Sequence, residues 1–373
     1  MIRKVNLKIV IPIVILAIIS IITIYCASIY TSSGMGNLTL KQSIWYLVGT
    51  GLVLIIMKLK NEFLYRHTWF LYIFGNILLV GLLFFGTPIN NSKCWYTIPG
   101  IGSFQPSEFM KIFLMLALAS MIHDFRIRYK NPDAKEEFIF LLKSLVVVGI
   151  PSILTFLQPD TGAVIIYLVI YLAMMFISGI RMRWFISGFS FVAIVLASVL
   201  SIYFLNQDLF IKLFGTSIFY RLDRLFSWQS GSGLQLENAL AAIGSAGLFG
   251  HGFNKTPIYF PEASTDFIFA VFASNFGLIG ALFLIGIIGY LDINIINLAR
   301  RKISDTDKYI IAGVIGMLIF QQIQNIGMTV GLLPITGITL PFISYGGSSL
   351  LSYMVLVGIL LNISMEKETK YKY

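Results

Sequence analysis

Residues 9–29 read IVIPIVILAIISIITIYCASI, a run of 21 residues without a charge. A helix needs about 20 apolar residues to cross roughly 30 Å of hydrocarbon, and this run meets that length. It is too long for the core of a signal peptide, so it reads as a first spanning helix and not as a cleaved leader. Working outward with the same ruler, further apolar runs fall at 43–59, 69–86, 106–123, 138–157 and 161–179. Four more fall at 185–205, 266–290, 308–331 and 346–364. The composition agrees: of 373 residues, 57% are hydrophobic and 12% charged. That is about half the charge a soluble domain carries. It excludes an ordinary soluble enzyme and a disordered chain. The expected fold is an all-α polytopic membrane protein of about ten transmembrane helices, with residues 1–373 forming one domain.

The net charge of +10 comes from 27 Lys and Arg against 17 Asp and Glu. These cations sit in the short links between apolar runs, which is orientation information and not a nucleic-acid footprint. Twenty of them fall in one alternating set of links and six in the other, with Lys111 inside a span. The richer set includes Arg126, Arg128, Lys130 and Lys135, and later Arg300, Arg301 and Lys302. Cytoplasmic links carry the excess of Lys and Arg, so both termini are expected in the cytoplasm. The other side then holds the link Thr87–Phe104 with Trp95, a stretch from about 206 to 265, and the Pro- and Gly-rich link Leu332–Ser348. A long loop with its own aromatic and charged side chains is a better site candidate than a short turn. The chemistry is expected to face outward. Cys26 and Cys94 are too few for a disulfide framework. His67, His123 and His251 are scattered, so no structural metal is expected.

Several polar groups in these stretches stand out, each with an ordinary structural reading beside the functional one. Glu108 and Lys111 lie at i and i+3 in FQPSEFMK, at the outer end of the fourth run. Charges within a span are costly and pair toward the bundle interior. They read as a structural ion pair or as part of a site for an anionic substrate. Asp160, in LQPDTGAV, sits where Pro159 and Gly162 break the helix, and with Thr161 it reads first as a cap for the next one. Arg221 and Arg224 lie one turn apart in FYRLDRLFSW. With Tyr220, Phe226 and Trp228 they either anchor an amphipathic segment at the headgroups or hold a diphosphate by bidentate hydrogen bonds. GLFGHGFNKT has the look of a phosphate loop but lacks a Gly before Lys255 and a leading strand, so nucleotide chemistry is not expected. Glu262 and Asp266 are i,i+4 neighbours in YFPEASTDFIFAVF, where the long loop meets the eighth run. Thr265 or Asp266 caps a helix from Phe267, or desolvation at the cavity mouth makes Asp266 a usable base near neutral pH.

Taken in order, six stretches resemble the SEDS family of bacterial membrane proteins (shape, elongation, division and sporulation). They are FQPSEFMK at 104–111, QPDTG at 158–162, FYRLDRLFSW at 219–228 and ALAAIGSAGLFGHG at 239–252. PEASTDFIFAV at 261–271 and QNIGMTVGLLPITGITLPFISYGGSSL at 324–350 complete the set. The ten-span layout extends the resemblance over essentially the whole chain. PITGITLPF is closer to the elongation branch than to the division branch.

The resemblance implies a peptidoglycan glycosyltransferase in the bacterial cytoplasmic membrane. Such an enzyme polymerises lipid II, a disaccharide-pentapeptide on undecaprenyl diphosphate, at the outer face beside a class B penicillin-binding protein. It implies Asp266 as the essential aspartate, a base on the acceptor 4-hydroxyl, and Trp95 as the functional tryptophan of the outer loop. Lys111, Arg221 and Arg224 become candidates to hold the diphosphate, with or without a divalent cation, Mg or Mn. Glu108, Asp160, Glu262, Ser344 and Ser348 complete the substrate-binding candidates. Three places depart from the family: Ser264 stands where relatives often carry His, Asn238-Ala239 where many carry Gln-Ser, and Ser274-Asn275 where many carry a Glu pair. Two other classes compete. A lipid II flippase would show an internal repeat and ionisable groups near mid-membrane. A scaffold for the division or sporulation machinery would need the helices but no particular aspartate.

Overall fold

Each of the ten apolar runs is helical, and the helices of the first, fifth, sixth and ninth start at side-chain caps the sequence supplies, Asn6, Asp133, Asp160 and Ser304. The computed structural model describes residues 5–28, 35–89, 92–98, 102–226, 234–301 and 303–365, apart from the side chains of residues 35, 36, 89, 98, 217, 221 and 224–226. Helix α1 (Leu7–Ala27) starts at Asn6, whose side chain accepts from the Lys8 N–H. Helix α2 (Met35–Leu59) leads through the short α3 (Asn61–Arg66) into α4 (Thr68–Phe85). Three short strands follow, β1 (Thr87–Ile89), β2 (Ser92–Ile98) and β3 (Gly102–Phe104), in an antiparallel sheet of order β1-β2-β3. Helix α5 (Pro106–Arg128) has Pro in its first turn, where a missing N–H costs nothing. Helix α6 (Ala134–Leu157) opens with a capping box between Asp133 and Glu136. Then come α7 (Thr161–Ile177) and α8 (Met182–Leu205).

The long stretch after α8 is mostly helical. It holds α9 (Gln207–Phe214), α10 (Thr216–Phe226) and α11 (Leu234–Gly244). The chain closes with α12 (Ile268–Ala299), α13 (Asp305–Thr329) and α14 (Gly347–Met365). Among the described residues eight helices are long and apolar enough to cross a membrane, namely α1, α2, α4, α6, α8, α12, α13 and α14, and α7 is a shorter apolar helix. Helix α5 coincides with the fourth expected run but carries Glu108, Lys111, Asp124 and Arg126, which dilute its apolar character. The protein is a polytopic helical membrane protein. The strands at 87–104 are an addition to the all-helical expectation. They are too short to show a period against apolar surroundings, yet Cys94, Trp95, Tyr96 and Thr97 are residues that suit a pleated surface.

Helix α5 is the axle of the bundle. It packs against α4, α6, α7, α13 and α14, and 14 of its 23 residues are buried. Around it α2 lies on α14, α1 on α12 and α7 on α13. Apolar burial does not drive helices together in lipid, so close packing must, and small residues let backbones approach. A Cβ on Gly358 would stand 2.8 Å from Ile56 Cβ, and one on Gly316 would stand 2.6 Å from Ala173 Cβ. Helix α8 is the exception, since none of its apolar window is buried. Its first turn is held by the Trp184 indole N–H, which donates to Glu137 Oε2 at 2.7 Å. Its far end joins α9 and α10 through Tyr203, whose ring stands 5.5 Å from Phe210 and 5.4 Å from Phe219.

Candidate functional site

The described motif residues gather where the links 87–104, 158–160 and 332–346 meet the ends of α5, α7, α12 and α14. On one side is the start of α5. Gln105 and Ser107 flank Pro106, and both turn toward the break between α6 and α7. There Asp160 Oδ1 accepts from the Ala163 N–H at 3.1 Å, so Asp160 does cap α7. Its second oxygen accepts from Gln105 Nε2 at 2.9 Å and from Ser107 Oγ at 3.1 Å. The cap is therefore also a clamp on FQPSEFMK. Burial pushes the Asp160 carboxyl above the ordinary carboxylate range, and the charge of Glu108 pushes the same way. The Ala163 N–H, Ser107 and Gln105 pull it partly back.

One turn further along α5, Lys111 Nζ meets Glu108 Oε2 at 2.6 Å. The pair is interior, with the Lys111 side chain 1% exposed. Ser352 Oγ of α14 donates to the same Glu108 oxygen at 3.4 Å. The ammonium sits 5.3 Å from the centre of the Tyr353 ring, and Gln321 Nε2 donates to the Tyr353 hydroxyl at 2.9 Å. Cation and ring reinforce one another in such a desolvated place. Three helices thus share one buried polar chain.

The small sheet is strapped onto this break. Cys94 Sγ donates to the Gln158 carbonyl at 2.9 Å, and Tyr96 Oη donates to the Leu78 carbonyl at 2.8 Å. Side chains alternate along a strand, so Trp95 takes the opposite face, half-buried and paired in register with Thr87. Burial and the nearby Asp160 charge push the Cys94 thiol up to about 12. It is a hydrogen-bond donor there and not a nucleophile.

Asp266 belongs to a second group across the link 333–346. Residues 261–267 form a turn and not the start of a helix, with Glu262 at φ 55. Glu262 Oε2 accepts from Thr265 Oγ1 at 2.7 Å. Helix α12 begins at Ile268, behind Phe267, whose own side chain makes no capping hydrogen bond. The turn is pinned by its backbone. Ser344 Oγ donates to the Thr265 carbonyl at 2.6 Å, and the Tyr345 N–H donates to the Ser264 carbonyl at 2.8 Å. The link itself is the divider between the two groups. A Cβ on Gly337 would lie 3.6 Å from Asp266 Oδ2, while a Cβ on Gly162 would lie 3.1 Å from Ile338 Cγ1 and 3.3 Å from the Thr336 carbonyl.

Asp160 and Ser348 are thereby joined through Gln105, whose N–H donates to Ser348 Oγ at 3.0 Å, with the Glu108–Lys111 pair on the next turn of α5. Asp266, Glu262 and Ser344 form the other group. Ser344 and Ser348 are both engaged with main chain, which makes them struts of the link. The side chains of Arg221 and Arg224, and the whole of Trp228, lie outside the described residues. Among the described residues no three His, Cys, Asp or Glu side chains stand close enough to hold a metal ion.

Sequence reasoning passed over Gln105, Ser107, Gln321 and Asn325. A signal for the last two was present. Gln321, Gln322, Gln324 and Asn325 fall close together inside an otherwise apolar helix, and polar residues in a span mark an interior face.

The chain matches the FtsW/RodA/SpoVE cell cycle protein family over residues 7–369. It is 35% identical over 345 residues to the probable peptidoglycan glycosyltransferase FtsW of Coxiella burnetii, covering 88% of this chain and 87% of the relative. It is 31% identical over 381 residues to the protein of the same name from Bacillus subtilis, covering 98% and 92%. In fold it is similar to the rod shape determining protein RodA of Thermus thermophilus, with a TM-score of 0.69, 25% identity and 97% of each chain covered. A chain of a peptidoglycan synthase complex that coordinates polymerization and crosslinking is similar in fold, with a TM-score of 0.79 at 24% identity over 96% of this chain and 97% of that one.

Proposed function

Because the chain belongs to the FtsW/RodA/SpoVE family of cell cycle proteins, we propose that it is a peptidoglycan glycosyltransferase that polymerises lipid II at the outer face of the bacterial cytoplasmic membrane. The observation that carries the reading is the placement of Asp266. It stands at the outer end of α12, facing Gly337, on a turn held by main-chain hydrogen bonds and next to the group of Asp160, Glu108 and Lys111. A carboxylate carried on a pinned turn beside a polar interior suits proton removal from a sugar hydroxyl.

In this reading Asp266 takes the proton of the acceptor 4-hydroxyl. The freed oxygen bonds to the anomeric carbon of the donor sugar, the bond from that carbon to the diphosphate breaks, and undecaprenyl diphosphate leaves with the electron pair. Arg221 and Arg224, on the amphipathic α10, are assigned to the diphosphate, whose charge grows as it departs. Lys111 is tied to Glu108 and lies deeper, so its part is to keep the end of α5 in place while adding positive potential. Among the described residues none builds a dedicated cage for Mg or Mn, and Glu108 and Asp160 are engaged with Lys111, Gln105, Ser107 and the Ala163 N–H. Trp95 offers a flat face for a sugar ring. Both termini lie in the cytoplasm, and the stretch 206–265 lies outside. A class B penicillin-binding protein is the partner, and elongation is the cellular role.

The deciding experiment is polymerisation of purified lipid II by the purified protein, alone and with its transpeptidase partner. Glycan strands from the unaltered chain and none from Asp266→Asn are the expected result. Transport of lipid II across vesicles without polymer would favour a flippase and overturn the reading.

A further inference from the structure

Helix α12 is two helical pieces. Gly277, with φ 67 and ψ −167, interrupts it. In an unbroken helix the Leu278 N–H would bond to the Ser274 carbonyl and the Ile279 N–H to the Asn275 carbonyl. The break separates these four groups, and residues 247–252 enter between them. The Leu278 N–H donates to the Gly247 carbonyl and the Ile279 N–H to the Leu248 carbonyl, both at 3.1 Å. On the other side the His251 N–H donates to the Ser274 carbonyl at 3.0 Å and the Gly252 N–H to the Asn275 carbonyl at 3.1 Å. Each group recovers a partner, which non-helical backbone within a membrane protein must do. The approach leaves no room for a side chain. A Cβ on Gly250 would stand 2.3 Å from the Asn275 carbonyl oxygen, and one on Gly277 would stand 2.3 Å from the Gly250 nitrogen.

Asn275 locks the insertion. It is 1% exposed. Its Oδ1 accepts from the Lys255 N–H at 3.1 Å. Its Nδ2 donates to Thr256 Oγ1 at 2.7 Å and to the Val271 carbonyl at 2.8 Å. One side chain thereby binds the upper helical piece to the chain that leaves the insertion. That chain then runs on through Phe260 into the turn that carries Asp266.

We propose that residues 247–252 and Asn275 form a clasp that sets the direction of the piece from Ile268 to Phe276, and that Asn275 is a positioning residue for Asp266. The inference rests on the base role proposed for Asp266. From Gly277 to Asp266 is a lever of about 16 Å at a rise of 1.5 Å per residue. A tilt of about 5° at the clasp moves the carboxylate by more than about 1 Å, a misplacement that costs on the order of a hundredfold in rate. A ligand gripped by the outer loops is little affected by the same tilt. The clasp should therefore act on turnover and not on affinity.

The test uses the full chain in lipid nanodiscs, with lipid II as substrate. In Asn275→Ala, kcat is expected to fall at least about tenfold while KM stays within about twofold. Amide hydrogen exchange at Leu278, Ile279, His251 and Gly252 should quicken in the same variant. Thr256→Val, which deletes only the hydroxyl that Asn275 holds, should shift both readouts the same way by less, and it serves if Asn275→Ala fails to insert. Unchanged exchange at Leu278 and Ile279, or a loss confined to KM, overturns the inference. If the unaltered chain makes no polymer the proposed activity falls, whereas exchange at the four amides still decides whether the clasp exists.

Discussion

Asn325 holds Asp266 from behind: its Nδ2 donates to the Asp266 carbonyl and to the Ile338 carbonyl, each at 2.8 Å. One buried amide on α13 thus spaces the turn that carries Asp266 against the link that faces it. The relationship sets the spacing between that turn and the link at Gly337, where a Cβ would lie 3.6 Å from Asp266 Oδ2.

Asn325→Ala leaves both carbonyls without this donor. An unsatisfied buried acceptor costs about 1–3 kcal/mol, so the variant should melt earlier and polymerise lipid II at least about tenfold more slowly. Asn325→Asp keeps the size but loses the donor and should behave alike. Melting in detergent and initial rates check both. A variant with wild-type melting and rate would remove Asn325 from any positioning role.

Asp266→Asn should abolish polymerisation while the protein still inserts and still binds its transpeptidase partner. Amide and carboxylate are nearly the same size, so packing under Gly337 persists and only proton acceptance is lost. Polymer yield on gels, with partner pull-down as the control, makes the comparison. Retained polymerisation would place the base elsewhere.

Asp160 gives a pH signature of stability. Its carboxyl is held above the ordinary range by burial, so the folded protein binds the proton more tightly than the unfolded chain does. Its contribution is fully present below the unfolded value of about 3.9 and is lost as pH rises through the higher folded value. Melting temperature measured upward from pH 4 should fall over that window in the unaltered protein, and the fall should be smaller in Asp160→Asn. Parallel curves for the two proteins would contradict the assignment.

Trp95→Ala and Arg221→Ala should weaken substrate binding and leave proton transfer intact. Turnover at low lipid II should drop several-fold and recover in part at high lipid II. Rate against lipid II concentration separates the cases, since an equal loss at every concentration argues against a binding role.

Orientation can be read directly. In a background with Cys26 and Cys94 replaced, single cysteines at Lys212 in α9 and at Asp305 at the start of α13 are both on exposed side chains. An impermeant thiol reagent on intact cells should label the first and spare the second until the cells are broken. The opposite pattern would put Asp266 on the cytoplasmic side, where lipid II polymerisation cannot take place.

What the sequence by itself determined was the class of molecule and the chemistry-bearing stretches. Apolar runs of membrane length depend only on composition within a window, so the long apolar helices were legible without any partner. The Glu108–Lys111 pair was legible for the same reason, because i,i+3 spacing brings the two together on any helix. The Asp160 cap was likewise local, set by Pro159, Gly162 and the helix that follows. Tertiary structure decided everything that joins distant residues. Asp160 meeting Gln105, Asn325 meeting Asp266, and residues 247–252 filling the break at Gly277 bridge separations that no period or spacing encodes. The break itself could not be foreseen, because Gly277 lies in a run whose apolar pattern continues on both sides. It persists because another segment supplies the four hydrogen bonds that the helix gives up, and that supply exists only once the bundle has closed around α12.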